Sequence, residues 1–351
     1  MAYTTIDDPS AYFNSLIYTG NVTVRALTFD GNSDLAVDWI WLKSRSISGN
    51  HHLYDSVRGT QKHLRSNLDS AEGTNGGTDG VTAFSSNGVT IGTNTASNDD
   101  GETFVGWGWK AGTSFTNDAS GTGIGTIDSA GSVNTDAGFS IISFTGTETN
   151  SQSVAHGLGA VPELIISKSR DVADNWMVHH GSFSENDYIS LNLTNAKASA
   201  SSVWSSLPTS TVINIGDNAG VNDDGAMIMY AFRSVQGYSK FGSYTGNGNA
   251  DGTFVYTGFK PALIIFKNAD SGSADWVLYD NKRDGFNSNN IALYPNASAG
   301  DDTGNDPDIL SNGFKQRATG SDRNANGENI IYMAFAENPF VTSGGVPGLA
   351  E

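Results

Sequence analysis

The chain has no cysteine among its 351 residues, so disulfides, thiolate metal sites and a cysteine nucleophile are all excluded. Charge is scarce at 16% and lopsided: 19 Lys and Arg stand against 37 Asp and Glu, a formal charge of −18. A surface that acidic repels phosphate backbones, which argues against nucleic acid as a partner. No run approaches the ~20 apolar residues of a membrane-spanning helix, so no membrane insertion is expected. The opening stretch carries Asp7, Asp8 and Pro9 and lacks both a basic flank and an apolar run. It does not read as a secretory signal, and a protein leaving its cell this way would need another route, such as lysis. Helical periodicity is weak, with room for a turn or two over 66–72 and 195–203 only.

What is abundant is glycine, at 42 residues, together with Ser, Thr and Asn, while seven Trp and seventeen Phe can anchor several cores. Short apolar runs separated by turn clusters every 8 to 12 residues or so predict an all-β chain of antiparallel β-sandwiches.

Three passages repeat. Ile40-Trp41-Leu42-Lys43-Ser44-Arg45 matches Ile165-Ile166-Ser167-Lys168-Ser169-Arg170 and, more loosely, Ile264-Ile265-Phe266-Lys267-Asn268. After each Lys the chain returns, through His51-His52-Leu53-Tyr54-Asp55, Trp176-Met177-Val178-His179-His180 and Trp276-Val277-Leu278-Tyr279-Asp280. Asn98, Asn222 and Asn324 then follow their lysines by 55, 54 and 57 residues (98−43, 222−168, 324−267) and open onto a last apolar strand. In those last strands Gly108, Ala231 and Ala334 coincide, as do Trp107, Tyr230 and Met333; a small residue beside a bulky one predicts close packing on one face and aromatic filling on the other. The predicted organisation is an arm over 1–20, sandwich units over 21–112, 138–236 and 237–340, a Gly/Ser/Thr-rich linker over 113–137 with one short strand near 124–127, and a tail over 341–351. Asn87-Gly88 and Asn312-Gly313 are expected to supply hairpin turns.

Chemistry-bearing candidates are few. Asp99, Asp100, Asp223 and Asp224 could offer oxygen ligands to Ca²⁺, but the third copy has Ala325 and Asn326 at the matching places, which fits a turn better than a metal site. The pairs His51-His52 and His179-His180 invite a metal or acid-base reading, yet neighbours on a strand point to opposite faces and the repeat replaces them freely. His156 is expected to pack or cap. No pair of carboxyls, no nucleophile elbow and no phosphate loop stands out, so no catalytic residue is assigned and a non-enzymatic role is expected. Trp204, Tyr188 and Tyr294 lie outside the shared strands and are candidates for stacking on a glycan.

The passages Met1-Ala2-Tyr3-Thr4-Thr5-Ile6-Asp7, Gly106-Trp107-Gly108-Trp109-Lys110-Ala111-Gly112, Gly242-Ser243-Tyr244-Thr245-Gly246-Asn247-Gly248 and Ala334-Phe335-Ala336-Glu337-Asn338-Pro339-Phe340 resemble repeat-bearing, tail-fibre-like structural proteins of marine tailed phages. The resemblance runs along nearly the whole chain. It implies a virion component with lectin-like, jelly-roll β-sandwich repeats, and it brings no catalytic residues. The expected role is host-surface attachment from a tail fibre or appendage, with other virion proteins and a host cell-surface glycan or receptor as partners and a homo-oligomer, such as a trimer, as the assembly. A capsid decoration protein and a polysaccharide-degrading tail enzyme are the alternatives. The apolar Tyr12, Phe13, Leu16 and Ile17 would dock the arm to the particle. The chain has no collagen-like or heptad segment, unlike a long fibre shaft.

Overall fold

A computed structural model describes residues 3–304 and 307–348; the extreme ends of the predicted arm and tail lie outside the described residues. The chain is all β, and every ladder between named strands is antiparallel. Each unit has an inner sheet of the same order: an opening strand, the closing strand, the central strand and the return strand. In the first unit these are Phe13–Thr19, Thr103–Trp109, Trp39–Ser44 and His52–Asp55. In the second they are Phe139–Thr145, Ala226–Phe232, Leu164–Ser169 and Met177–His180, and in the third Ser239–Thr245, Asn329–Pro339, Phe259–Asn268 and Trp276–Asp280. The register repeats as well. Trp107, Tyr230 and Met333 stand opposite Trp41, Ile166 and Ile265, as the sequence alignment requires.

Alternation sorts each inner sheet into two apolar faces. Ile40 and Leu42 point into the first sandwich, against an outer sheet of Arg25–Leu27, Val89–Ile91 and Val81–Phe84. The second sandwich is closed by Gln152–Ala155 with Val212–Ile215, and the third by Phe254–Tyr256, Gly313–Gln316 and Pro307–Leu310. On the sandwich side the small residue is needed: a Cβ on Gly108 would come within 2.7 Å of the Phe29 ring.

The opposite faces do not meet solvent. Trp39, Trp41, Trp107 and Trp109 from the first unit share one cluster with Phe139, Ile166, Tyr230 and Phe232 from the second and Ile265, Met333 and Phe335 from the third. Trp39 stacks on Tyr230 with centroids 4.5 Å apart, and Phe13 stacks on Phe335 at 5.1 Å. The three sandwiches therefore close around a common aromatic core, a trimer-like arrangement inside one polypeptide, and the expected homotrimer is not needed to cover the inner sheets.

Several sequence expectations are corrected. The segment 1–20 is not a free arm, because Phe13–Thr19 is the first unit's opening strand, paired along its length with Thr103–Trp109. Of the four side chains expected to dock, Phe13 and Leu16 are buried, Tyr12 packs edge-on against Tyr238, and Ile17 alone is half exposed. The segment 113–137 is not a simple linker: Thr113–Asn117 and Ser129–Asn134 form a hairpin that extends the second unit's inner sheet. The strand expected near 124–127 is absent, with Ile127 making one isolated bridge to Val154. Helical turns form at Thr95–Asn98, Ala119–Thr122, Ala219–Asn222 and Ser321–Asn324, not at the two places expected. Gly88 does take the hairpin φ of +97°, and the second hairpin also forms, turning at Ser311-Asn312, with Gly313 as the first residue of the returning strand, where a Cβ would lie 2.0 Å from the Val255 carbonyl oxygen.

Candidate functional site

The repeated asparagine is the hub of each unit. Asn222 ends a one-turn helix capped by the Asn218 side chain, and it is fully buried. Its Nδ2 donates to the Thr149 and Gly216 carbonyls at 2.8 Å each, and its Oδ1 accepts from the Thr147 amide at 2.8 Å. Asn98 binds the Thr23 and Gly92 carbonyls and the Asn21 amide in the same way, and Asn324 the Asn249 and Ala318 carbonyls and the Asn247 amide. The amide thus ties the end of the opening strand to the helix and to the chain before it. A glycine precedes each tied amide, because a Cβ at Gly20, Gly146 or Gly246 would fall 1.9 to 2.2 Å from a backbone oxygen.

The aspartates that follow are turn residues. Asp100 and Asp224 are exposed, Asp99 receives the Asp100 amide, and the buried Asp223 receives the Ser169 hydroxyl at 3.4 Å. Gly101 and Gly327 take φ of +78° in the two matching turns. Among the described residues no three His, Asp or Glu side chains converge, so these four aspartates are not brought together as a chelating set.

All six histidines are buried. Trp41 donates to His51 Nδ1 at 2.7 Å, which leaves the proton on Nε2 to bind the Tyr294 carbonyl at 2.9 Å. His156 Nδ1 caps the Leu158 amide at 3.2 Å. His52 and His179 face the sandwich interiors, where His52 lies beside His63 and His179 beside Trp204.

Contacts across the unit boundaries run in a ring. Trp107 of the first unit donates to Asp280 of the third at 3.1 Å, His180 of the second reaches the Tyr332 carbonyl of the third at 3.4 Å, and Tyr230 of the second donates to Asp55 of the first at 2.7 Å. The position before the return strand adds another ring: His51 to Tyr294, Trp176 to the Arg65 carbonyl at 3.0 Å, and Trp276 to the Ser190 carbonyl at 2.9 Å.

The repeated lysines Lys43, Lys168 and Lys267 are fully buried and donate to backbone carbonyls. Burial pushes all three down to about 8. Because the unfolded chain binds more protons between pH 8 and the ordinary lysine value of 10.5, stability should rise with pH across that window and carry the full cost of the buried charges below it. Burial also lowers all six histidines, His52 to about 3 and His63, His179 and His180 to about 4. Stability should therefore fall as pH drops through 6 toward 4. Urea titrations should show a gain of about 2 kcal/mol or more from pH 8 to pH 9, below the range where the buried tyrosines, held above their usual value, reverse the trend, and a flat profile there would refute the buried-lysine account.

Of the three predicted glycan contacts one is enclosed and two are half-buried. Trp204 is 2% exposed inside the second sandwich core and offers no face to a sugar. Tyr188 packs against that core, and Tyr294 packs against the third with its hydroxyl on Asp302 at 2.5 Å. Lying outside the shared strands did not put Trp204 in solvent. Among the described aromatics Phe286 is the most exposed, at 83%, and it stands at the rim of a cleft of about 80 Å³ in the third unit, whose walls include Lys260, Asn281, Asp284, Asn289 and Glu337. Sequence reasoning passed over it, although one signal was present. Eleven residues separate the bridge partners Leu53 and Leu64, and eleven separate Val178 and Ile189, but fifteen separate Leu278 and Leu293.

No curated protein and no solved structure matches the chain. A family model described as a domain of unknown function, DUF7483, matches residues 8–339, and the chain belongs to that family.

Proposed function

We propose that this protein is a non-enzymatic structural component of a phage particle, carried on a tail fibre or appendage, that presents β-sandwich surfaces to the host. The observation that carries the reading is the division of labour within the repeat. The inner sheets, the buried Asn and the buried Lys are kept in all three units, while loops on the outside differ in length and chemistry. Such a body is a rigid scaffold with replaceable contact loops. The tail-fibre-like resemblance of the sequence supports the same reading. Its partners are other virion proteins and a host cell-surface glycan or receptor.

The test is particle labelling combined with adsorption. Antibody to the chain should decorate the tail of intact particles, and excess purified chain should slow adsorption to host cells. Label over the head would favour the decoration protein, and release of oligosaccharide from host envelope would favour the tail enzyme. Particles free of the chain would end all three.

A further inference from the structure

We propose that the cleft behind Phe286 is a binding site for one pyranose sugar, formed by an extension peculiar to the third unit. The inference deepens the host-contact reading and rests on it for biological meaning, although its chemistry stands apart. The four extra residues in the return loop place Phe286, Asn287 and Asn289 where the first two units have a short connection.

Two amides, of a buried Asn289 and a half-buried Asn281, line the site. Asn289 is 1% exposed, and its Nδ2 donates to the Asp280 and Asp284 carbonyls at 2.7 and 2.9 Å. Those two acceptors set the orientation of the amide, so its Oδ1 is the atom left over, enclosed and without a partner. Asn281 repeats the pattern: its Nδ2 donates to Glu337 Oε2 at 2.8 Å and its Oδ1 is enclosed without a partner. Asn287 is spent on the backbone of Ile309 and serves only to hold the loop. These two amides line the cleft together with the carboxylates of Asp284 and Glu337, and a lining so rich in acceptor oxygens asks for a ligand rich in hydroxyl donors.

A metal ion would meet those oxygens too, but the Lys260 ammonium stands in the same wall, 3.4 Å from Glu337, and repels it. Phe286 adds an apolar ring face that a cation in this wall of oxygens would not use and that the C–H face of a pyranose fits. A cleft of about 80 Å³ is too small to enclose a whole sugar, so it would take hydroxyls and leave the sugar ring on the rim against Phe286.

The full chain should be tested by saturation-transfer difference NMR with the methyl glycosides of glucose, galactose, mannose and N-acetylglucosamine at millimolar concentration. At least one should receive saturation, and Phe286→Ala should weaken its binding at least tenfold. Phe286 is too exposed for the fold to depend on it, and unchanged circular dichroism would verify that. Tyr256→Ala, which removes an exposed ring elsewhere on this unit, should leave binding unchanged. Saturation of none of the four, or binding that survives Phe286→Ala intact, overturns the site. So does a calcium-induced rise in melting temperature that Glu337→Gln abolishes. Competition for host adsorption without any sugar binding overturns the site while leaving the host-contact reading standing; sugar binding lost in Phe286→Ala upholds the site wherever the chain resides.

Discussion

Arg283→Met should destabilise the protein by about 3–5 kcal/mol, the usual cost of leaving one member of an enclosed ion pair without its partner. Both Arg283 and Asp280 have side chains shut off from solvent, with Nε to Oδ2 at 2.6 Å. The pair also holds a unit boundary, because the same Oδ2 accepts from Trp107 of the first unit and the guanidinium lies over that indole. The first unit has the identical arrangement in Asp55 and Arg58. The second has neither charge: His180 and Phe183 occupy the two places, their rings 5.7 Å apart. The molecule thus contains both solutions to one packing problem. The double variant Asp280→His with Arg283→Phe should therefore cost less than Arg283→Met alone, since it removes both charges together. Urea unfolding followed by tryptophan fluorescence gives both values. A double variant that costs more than the single one would show that the pair is a net stabiliser and not a matched substitution.

Asn222→Ala should cost about 2–4 kcal/mol. The alanine strands the enclosed Gly216 carbonyl outright, while the Thr149 carbonyl and Thr147 amide, nearer the surface, can recover part of their bonding from water. The equivalent changes at Asn98 and Asn324 should fall in the same range, because their partners match one for one. Asp224→Ala, two residues from Asn222 and exposed, should change stability by less than about 0.5 kcal/mol. Equal losses at Asn222 and Asp224 in denaturant titrations would contradict the assignment of the amide, rather than the acidic turn, as the feature the repeat preserves.

The repeat was legible in sequence because its buried elements tolerate little change. Fixed offsets from each Lys located the return strand and the closing strand, though not the helical turn that ends at the Asn, and the pairing of a small with a bulky residue foretold the two apolar faces at Gly108 and Trp107. The first opening strand was read as an arm because Phe13–Thr19 shares little with its counterparts beyond the last residues: Tyr18-Thr19-Gly20, Phe144-Thr145-Gly146 and Tyr244-Thr245-Gly246. That triplet carried the answer, since the glycine is demanded by the close carbonyl in each unit. The common core was also written in Trp39-Ile40-Trp41-Leu42, a run apolar at every position, where a sandwich with one wet face would alternate. The burial of Trp204 and the exposure of Phe286 depend on which distant segments cover each loop, and no local pattern reports that.

The ring of boundary contacts bears on where such a polypeptide must start. The Asp7 carboxylate meets the Ser343 amide at 2.6 Å, and the Thr4 hydroxyl meets the Gln236 carbonyl at 2.7 Å, so the first unit's leading segment lies against the third unit and its junction with the second. In the ring of His51, Trp176 and Trp276 each unit gives one contact to a neighbour and receives one from the other. A circular permutant opened between the second and third units and sealed across the old termini would keep the three-way core and both rings of hydrogen bonds. Linear order along the gene is in this sense independent of the geometry of the closed body.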